Sequence, residues 1–579
     1  MSEDTKLSYE RLVKAATGKV LFDILIENTQ LVNVYTGEIY QAAIGILGDK
    51  IAYVGRDSKN LGSNRRFDAD GKYAIPGLID SHLHVESSMI TPPRFAEAVL
   101  PHGTTTVAID PHEIANVLGM KGMRMMLDSS KDLPLKVHFL VPTCVPSIPD
   151  VETAGAEFNS DDVAEMLSWD RVIGLAEVMD YQGVIDLKGR ITKIVKAGRS
   201  SGKILDGHGC LISGRELNAY IAAGMNSDHE NFNFPSVLEK LRLGMAIKLR
   251  KMLLSREFIT KLREIPDLRN VMFCTDDVMP DDLIKYGHLD DVVRTAIECG
   301  FDPVEAVKSS TLKPALSLRL YDRGAIGPGK IADVILLKNL ERFVPDAVFA
   351  NGKLTAKGGK LLTKLKIHRF PREAERTVRL SGISVNDFSV KPPIHKGKVK
   401  VRVMALEGFA SKFLIEEHYV QNRVLETDGL ATVAVLERHG RSRSRAIGYV
   451  KNSGLRRGAI GSTVAHDSHN LIVLGMSPED MRFAAAVLIG MQGGLVAVQN
   501  GQVLASVHLP IAGLMSNMPI DTVSSALRSF RRAENQLGVR EVESTLMITF
   551  LSLPVVPSAR ITDRGLFDVD NQKFVSLFL

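Results

Sequence analysis

The sequence is poor in cysteine, and its cysteines are not paired by spacing. Its 579 residues contain four: Cys144, Cys210, Cys274 and Cys299. They lie far apart and form no Cys-x-x-Cys pair. A disulfide scaffold and a thiolate zinc site are therefore both disfavoured.

Long apolar runs and a strong charge of one sign are also missing. No uninterrupted apolar run reaches the ~18 residues that a membrane span needs, and Met1 to Lys6 lack the basic-then-apolar pattern of a signal peptide. The formal net charge is only +5, there is one Trp, and no basic run alternates with aromatic residues. We therefore expect a cytosolic protein that binds neither a membrane nor nucleic acid.

The composition indicates a globular protein of several domains. Hydrophobic residues make up 45% and charged residues 24%, and the chain is too long for one ordinary domain. Residues 1–20 form a polar lead-in that we expect to be helical. Residues 21–75 and 321–368 share short β-rich runs broken by Gly and Asn, which predicts one small split β-sandwich domain. Residues 369–579 predict a C-terminal α+β domain.

Residues 76–320 show a different alternation, in which short apolar runs are separated by helical patterns. This alternation predicts repeated βα units and a parallel sheet. Eight such units in this length fit a (β/α)8 TIM-like barrel, so the fold class is α/β. The predicted strands are 75–80, 104–110, 136–142, 172–178, 203–208, 224–229, 244–249 and 271–276.

Side chains that can bind a metal stand at five of these strand ends. His82 and His84 are two apart, so on an extended strand they point to the same side. The others are Glu177, His208, His229 and Asp276, and each could equally well be structural if it stood alone. Because the carboxyl ends of the strands in such a barrel meet at one face, we expect the set to share a cavity.

These segments resemble the amidohydrolase superfamily, through a His-x-His pair after Pro76-Gly-Leu-Ile-Asp80, later single histidines and a late Asp. Within that superfamily the resemblance narrows to the bacterial and archaeal adenine deaminase family and runs nearly end to end. The matching segments are 80–89, 110–113, 174–180, 206–208, 274–277, 466–470, 509–515 and 550–554.

The resemblance implies metal-dependent hydrolysis of adenine to hypoxanthine and ammonia, as in purine salvage. It implies a binuclear divalent centre of N and O ligands, with Mn or Fe favoured and Zn as a third candidate. His82, His84 and Asp276 would bind one metal, and His208 and His229 the second. Glu177 would bridge them, where many amidohydrolases have a carboxylated lysine. A small-molecule substrate and assembly as a homo-oligomer are implied as well.

Two carboxylates are the candidates for proton transfer. Asp276 would act as the base that moves a proton from water to the departing amine, and Glu86 would contact the purine or protonate its ring nitrogen. Further candidates at the substrate are Glu113, His112, Asp277 and Asp206. Solvated carboxylates, a helix cap at Asp277 and a pairing of Asp206 inside the barrel remain equal alternatives.

Alternatives remain for the substrate and for the last third of the chain. Gly209-Cys-Leu-Ile and Val278 depart from the family pattern at loops that should border the pocket, so another purine or a cyclic amide remains an alternative substrate. A non-catalytic barrel is a weaker alternative, because every assigned ligand position is retained. His466 and His469 are three apart, so on a helix they could form a second metal site, but the β-like run that follows favours a loop instead. The resemblance implies that this loop closes the active site or an interface.

Overall fold

The computed structural model describes residues 8–57, 59–407, 410–427, 429–539, 545–556 and 558–579, with backbone only at 545–547. Residues 1–7 of the predicted lead-in lie outside this part of the chain. The remainder holds helix α1 (Tyr9–Ala16), and the Ser8 hydroxyl accepts a hydrogen bond from the Arg11 N–H at 3.3 Å. A side-chain cap of this kind satisfies one of the free N–H groups of the first turn.

The chain then builds the first part of a mixed sheet. The turns at Thr36-Gly37 and Gly48-Asp49, which follow its short apolar runs, favour strands that return on one another. The strands are β1 (Ile24–Val32), β2 (Ile39–Leu47), β3 (Lys50–Gly55), β4 (Arg66–Asp68) and β5 (Tyr73–Pro76).

Eight parallel strands follow, each paired with the next along the chain. The sheet closes where the Asp276 N–H donates to the His82 carbonyl at 3.1 Å and Leu83 bridges to Asp276. The predicted TIM-like barrel is thereby confirmed. Its strands are β6 (Leu78–Leu83), β7 (Thr104–Ile109), β8 (Lys136–Val141), β9 (Val172–Val178), β10 (Ile204–Gly207), β11 (Ser227–Asp228), β12 (Ala246–Leu249) and β13 (Val271–Phe273).

The predicted first strand, 75–80, was wrong in its bounds, because the structure divides this run at Gly77. β5 ends at Pro76 and belongs to the mixed sheet, whereas the barrel strand begins at Leu78. A Cβ at Gly77 would lie 2.2 Å from the Thr105 hydroxyl oxygen, so only glycine fits where the chain passes from one sheet to the other. The barrel strand therefore extends to Leu83 and carries His82 within it.

Helices cover the outside of the barrel, as the helical patterns between the strands predicted. A continuous cluster of buried apolar side chains joins them to the strands and extends into the C-terminal region. The helices are α2 (Pro92–Val99), α3 (His112–Ser129), α4 (Ser160–Leu167), α5 (Tyr181–Ile185), α6 (Gly189–Ser200), α7 (Gly214–Ala222), α8 (Phe234–Arg242), α9 (Arg256–Arg263), α10 (Pro280–Tyr286), α11 (Leu289–Glu298), α12 (Pro303–Ser309) and α13 (Leu312–Ser317).

After the barrel the chain returns to the mixed sheet. The added strands are β14 (Val334–Leu337), β15 (Pro345–Ala350), β16 (Lys353–Lys357) and β17 (Lys360–Leu361). The sheet order is β17-β16-β15-β14-β5-β1-β2-β3, with β4 also on β1. Strands from both sides of the barrel segment thus share one sheet, while the domain boundaries themselves stay a prediction.

The last third of the chain is α+β. Its nine-stranded sheet has the order β20-β19-β18-β22-β21-β24-β23-β25-β26, and three further strands form a separate sheet. The elements are β18 (Gly397–Glu407), β19 (Ala410–Gln421), β20 (Val424–Leu425), β21 (Ala431–Leu436), β22 (Arg445–Lys451), β23 (Ala459–Ser462), β24 (Leu471–Gly475), α14 (Pro478–Met491), β25 (Gly494–Gln499), β26 (Gln502–His508), α15 (Ile520–Leu537), α16 (Thr545–Phe550), β27 (Ala559–Thr562), β28 (Gly565–Asp568) and β29 (Lys573–Val575).

This C-terminal region packs against the mouth of the barrel. Arg531 on α15 forms an ion pair with Asp281 on α10, and the Asn470 amide donates to the Thr153 carbonyl at 2.9 Å. In the described part of the chain no helix is both long and apolar enough to span a bilayer.

Candidate metal centre and active site

The ends of five barrel strands bring six metal-competent side chains together. His82 lies on β6 and His84 directly after it, and Glu177 lies on β9. His208, His229 and Asp276 follow β10, β11 and β13. Their donor atoms fall into three overlapping groups, and within each group they lie within 4.8 Å of one another. The groups are His84, Asp110, His112 and Glu177; His82, His229 and Asp276; and Glu177, His208 and His229.

Hydrogen bonds fix the orientation of the His-x-His pair. The His84 Nδ1 donates to the Asp110 carbonyl at 2.9 Å, and the His82 Nδ1 lies 3.1 Å from an Asp206 carboxylate oxygen. Each ring therefore directs its Nε2 towards the other side chains of the group, as metal-binding histidines do. Burial and the neighbouring His229 lower the pKa of His82, which favours the neutral ring that a metal needs.

The Glu177 carboxylate stands between the two halves of the site. Its Oε2 is 2.5 Å from the His208 Nδ1 and 3.2 Å from the His229 Nε2, and its Oε1 is 3.6 Å from the His84 Nε2. Burial opposes ionisation, but His208 and His229 hold the pKa of Glu177 well below its usual value. An ionised carboxylate with one oxygen toward each set of histidines is arranged as a bridging ligand would be.

Asp276 occupies a left-handed backbone conformation, with φ of 60°. Such a conformation is uncommon outside glycine and is found at functional sites. Its Oδ1 is 3.3 Å from the His84 Nε2 and 3.7 Å from the His82 Nε2. Its Oδ2 is 2.5 Å from the Arg250 guanidinium. Burial opposes ionisation, but His84 and Arg250 hold the pKa of Asp276 well below its usual value.

The donor set fits a pair of divalent cations. The His82 Nε2 and the His229 Nδ1 are buried and accept or donate no hydrogen bond among the described residues. Buried polar atoms are rarely left this way in a complete site. Imidazole and carboxylate donors suit Mn, Fe and Zn.

Comparison with known proteins agrees with this geometry. Residues 73–355 match the amidohydrolase family model, and residues 410–573 match the adenine deaminase C-terminal domain. The adenine deaminase of Moorella thermoacetica is 40% identical, over 98% of this chain and 97% of its own. Adenine deaminase 2 of Carboxydothermus hydrogenoformans is 39% identical, over 98% and 99% of the two chains. The chain belongs to the adenine deaminase family.

Two further carboxyl groups, those of Glu86 and Glu113, lie close to His84 and His112 in this adenine deaminase family member. Glu86 lies in the turn after the His-x-His pair, where its Oε1 accepts from the Ile114 N–H at 3.3 Å and its Oε2 has no hydrogen bond within the described structure. Burial and the nearby Glu113 raise the pKa of Glu86 to about 8. Burial also raises the pKa of Glu113, which accepts from the Ser87 hydroxyl at 3.0 Å.

The other candidates from the sequence have distinct positions. The His112 Nδ1 is 3.6 Å from Glu177, so this ring lies against the centre. Asp277 is exposed and accepts a hydrogen bond from Ser87. Asp206 is fully buried. Its Oδ2 lies 3.1 Å from the His82 Nδ1 and accepts a hydrogen bond from the Lys248 ammonium at 2.6 Å. Asp206 thus orients a histidine from behind and presents no oxygen to the cavity.

The C-terminal region also reaches the cavity. The turn between β23 and β24 places the Asp467 carboxylate 3.7 Å from the His112 Nε2. The fully buried Arg438 holds this turn by donating to the His469 carbonyl and, at 2.8 Å, to the Ala512 carbonyl. The predicted loop at 466–470 is therefore confirmed as a loop, and it closes one side of the site.

Sequence reasoning did not identify two cations of the site, Arg250 and Lys248. A usable signal was present for each. Lys248 is a charged residue within the apolar strand β12, where burial requires a carboxylate partner. Arg250 directly follows the same strand and lies at the face that the site occupies.

Proposed function

We propose that this protein hydrolyses adenine to hypoxanthine and ammonia with a binuclear divalent centre. The observation that carries the proposal is the Glu177 carboxylate, whose two oxygens face His84 on one side and His208 with His229 on the other. Membership of the adenine deaminase family supports adenine as the substrate. Location in the cytosol and assembly as a homo-oligomer remain predictions from the sequence.

We assign the ligands as the resemblance to the adenine deaminase family implies. His82, His84 and Asp276 would hold one metal, His208 and His229 the other, and Glu177 would contact both. We propose Mn or Fe, with Zn as the third candidate, because every donor is N or O. When bound there, the metals would lower the pKa of water towards ~7 and supply the nucleophile.

Asp276 is suited to the role of base. Arg250 binds its Oδ2, which leaves Oδ1 directed at the two histidines of the pair. A carboxylate oxygen at this place can accept the proton of the attacking water and deliver it to the departing amine.

Glu86 is suited to the role of acid toward the purine ring. Its carboxyl is buried beside Glu113, and one of its oxygens has no partner in the described structure. Two carboxyl groups at close range in a buried site do not both ionise. Glu86 can therefore hold a proton and give it to the ring nitrogen beside the attacked carbon.

The test is an assay of enzyme expressed with added manganese. Adenine is supplied, ammonia and hypoxanthine are measured, and metal is counted on the same sample. We expect turnover. Metal binding without turnover of adenine would move the search to other purines and cyclic amides, with Gly209 and Val278 as the first positions to examine. Folded protein with neither metal nor turnover would contradict the enzymatic function.

A further inference from the structure

A second group of metal-competent side chains lies where the barrel meets the C-terminal region. His112 begins α3 directly after β7, whereas His466 and Asp467 belong to the turn between β23 and β24. The Asp467 Oδ1 is 3.7 Å from the His112 Nε2 and 3.6 Å from the His466 Nδ1. Donor atoms of these three residues all lie within 4.8 Å of one another.

The group is incomplete as a hydrogen-bonded network. The separations of 3.6 and 3.7 Å are too long for hydrogen bonds between the rings and the carboxylate. The His112 Nε2 and the Asp467 Oδ2 have no hydrogen-bond partner among the described residues, although these residues are only 4% and 1% exposed. No Lys or Arg in the described chain lies within 4.0 Å of the Asp467 carboxylate. Unsatisfied buried groups of this kind are costly, so the space between them suits a bound ligand.

We propose that the His112 Nε2, the His466 Nδ1 and the Asp467 carboxylate bind a third divalent cation, separate from the pair at Glu177. Two donors that bind one ion at ~2.0–2.2 Å, with a near-tetrahedral angle between them, are roughly 3.5 Å apart. The two observed separations are close to that value. A site of two imidazoles and one carboxylate suits Zn, Mn or Fe.

The surroundings fix the His112 ring and the main chain of His466. The His112 Nδ1 lies 3.2 Å from the Asp110 carboxylate, the carboxylate–histidine pattern that leaves Nε2 free to bind. The His466 N–H donates to the Thr549 carbonyl at 2.9 Å, and the Ser552 hydroxyl donates to the His466 carbonyl at 3.1 Å. The C-terminal region therefore supplies two of the three protein ligands, and the cation links it to the barrel.

Metal counting tests this proposal independently of any activity. Full-length enzyme loaded with Mn²⁺ and freed of excess metal is analysed by mass spectrometry of the metal. We expect three Mn per chain in the wild type and one fewer in Asp467→Asn and in His466→Gln. His418→Gln is the matched control, because His418 is a buried histidine on β19, where its Nδ1 lies 3.0 Å from the Glu426 carbonyl. It should keep the wild-type count.

A crystallographic measurement on the wild type avoids any variant that fails to fold. Anomalous scattering at the manganese edge should show a peak between His112, His466 and Asp467, besides those at Glu177. Equal metal counts in the wild type and Asp467→Asn, or no peak at that place, would overturn the proposal. If Asp467→Asn keeps its metal but has a raised KM for adenine, the turn contacts substrate directly and the cation is refuted. Failure of the adenine assay alone would leave the metal counts unaffected.

Discussion

Replacing Lys248 with methionine removes the ammonium group that neutralises Asp206 inside the barrel. The two groups are 2.6 Å apart, and their side chains are 1% and 0% exposed. Methionine retains most of the apolar stem, so the change removes the charge together with the hydrogen bond that the ammonium donates to the Ser81 carbonyl at 3.0 Å. Asp206 would be left as a buried carboxylate without its cation, although Ser227, Gly207 and His82 still contact it at 2.7, 3.0 and 3.1 Å.

The loss of stability can be worked out from this buried environment. Breaking a buried ion pair costs about 3–5 kcal/mol. Because Asp206 keeps three contacts, we expect a loss of about 3 kcal/mol, the lower end of this range. At about 2–4 °C per kcal/mol for a unit of this size, thermal unfolding should shift down by roughly 6–12 °C. Because Asp206 also orients His82, metal affinity should fall by about 10–100-fold.

The assay is thermal unfolding of metal-free protein at one fixed scan rate, followed by metal titration. Lys398→Met is the control, since the Lys398–Glu417 pair is exposed to solvent and its loss should leave the unfolding temperature nearly unchanged. The double variant Lys248→Met/Asp206→Asn removes the unpaired charge and should recover part of the lost stability. A double variant no more stable than Lys248→Met would refute the reasoning, because the loss would then not arise from Asp206.

Three further changes test other groups. Asp276→Asn should lower kcat by about 10³-fold, since the amide cannot accept the proton; near-normal kcat would remove Asp276 as the base. Glu177→Gln should reduce the metal count at the paired site, and full occupancy there would exclude a bridging role. Glu152→Gln tests a buried acid whose pKa is raised from 4.5 to about 8 by burial and by Asp467. In metal-free wild type the folded state binds the extra proton between these values, so stability falls as pH rises from 4.5 to 8. The difference in unfolding temperature between the variant and the wild type should therefore grow in favour of the variant from pH 5 to pH 8. Unfolding temperatures that change with pH in parallel would contradict the raised pKa of Glu152.

The barrel could be predicted from local patterns because each strand carries its own signal. Val172–Val178, for example, matches its predicted range. The break at Gly77 could not be predicted locally, because it depends on β14, a pairing partner far along the chain. The hydrophobic periodicity and the turn residues depend on neighbours in the sequence. Which sheet a strand joins depends on its neighbours in space.

The same limit applies to the site. The His82–His84 pair is visible from its spacing alone, because alternation along a strand places both rings on one side. The position of Arg250 directly after β12 places it at the face of the site, but no spacing indicates that its partner is Asp276. The approach of Asp467 to His112 depends on how the C-terminal region packs on the barrel, which single-sequence patterns do not contain.

The hydrogen bond that closes the barrel is made by the main chain of Asp276, the residue whose side chain we assign to proton transfer. The Asp276 N–H bonds to the His82 carbonyl, and any residue except proline can supply that N–H. The closure of the barrel at this point therefore does not depend on the side chain that takes part in the chemistry. A change of side chain at this position would therefore alter the chemistry of the site and keep the hydrogen bond that closes the barrel.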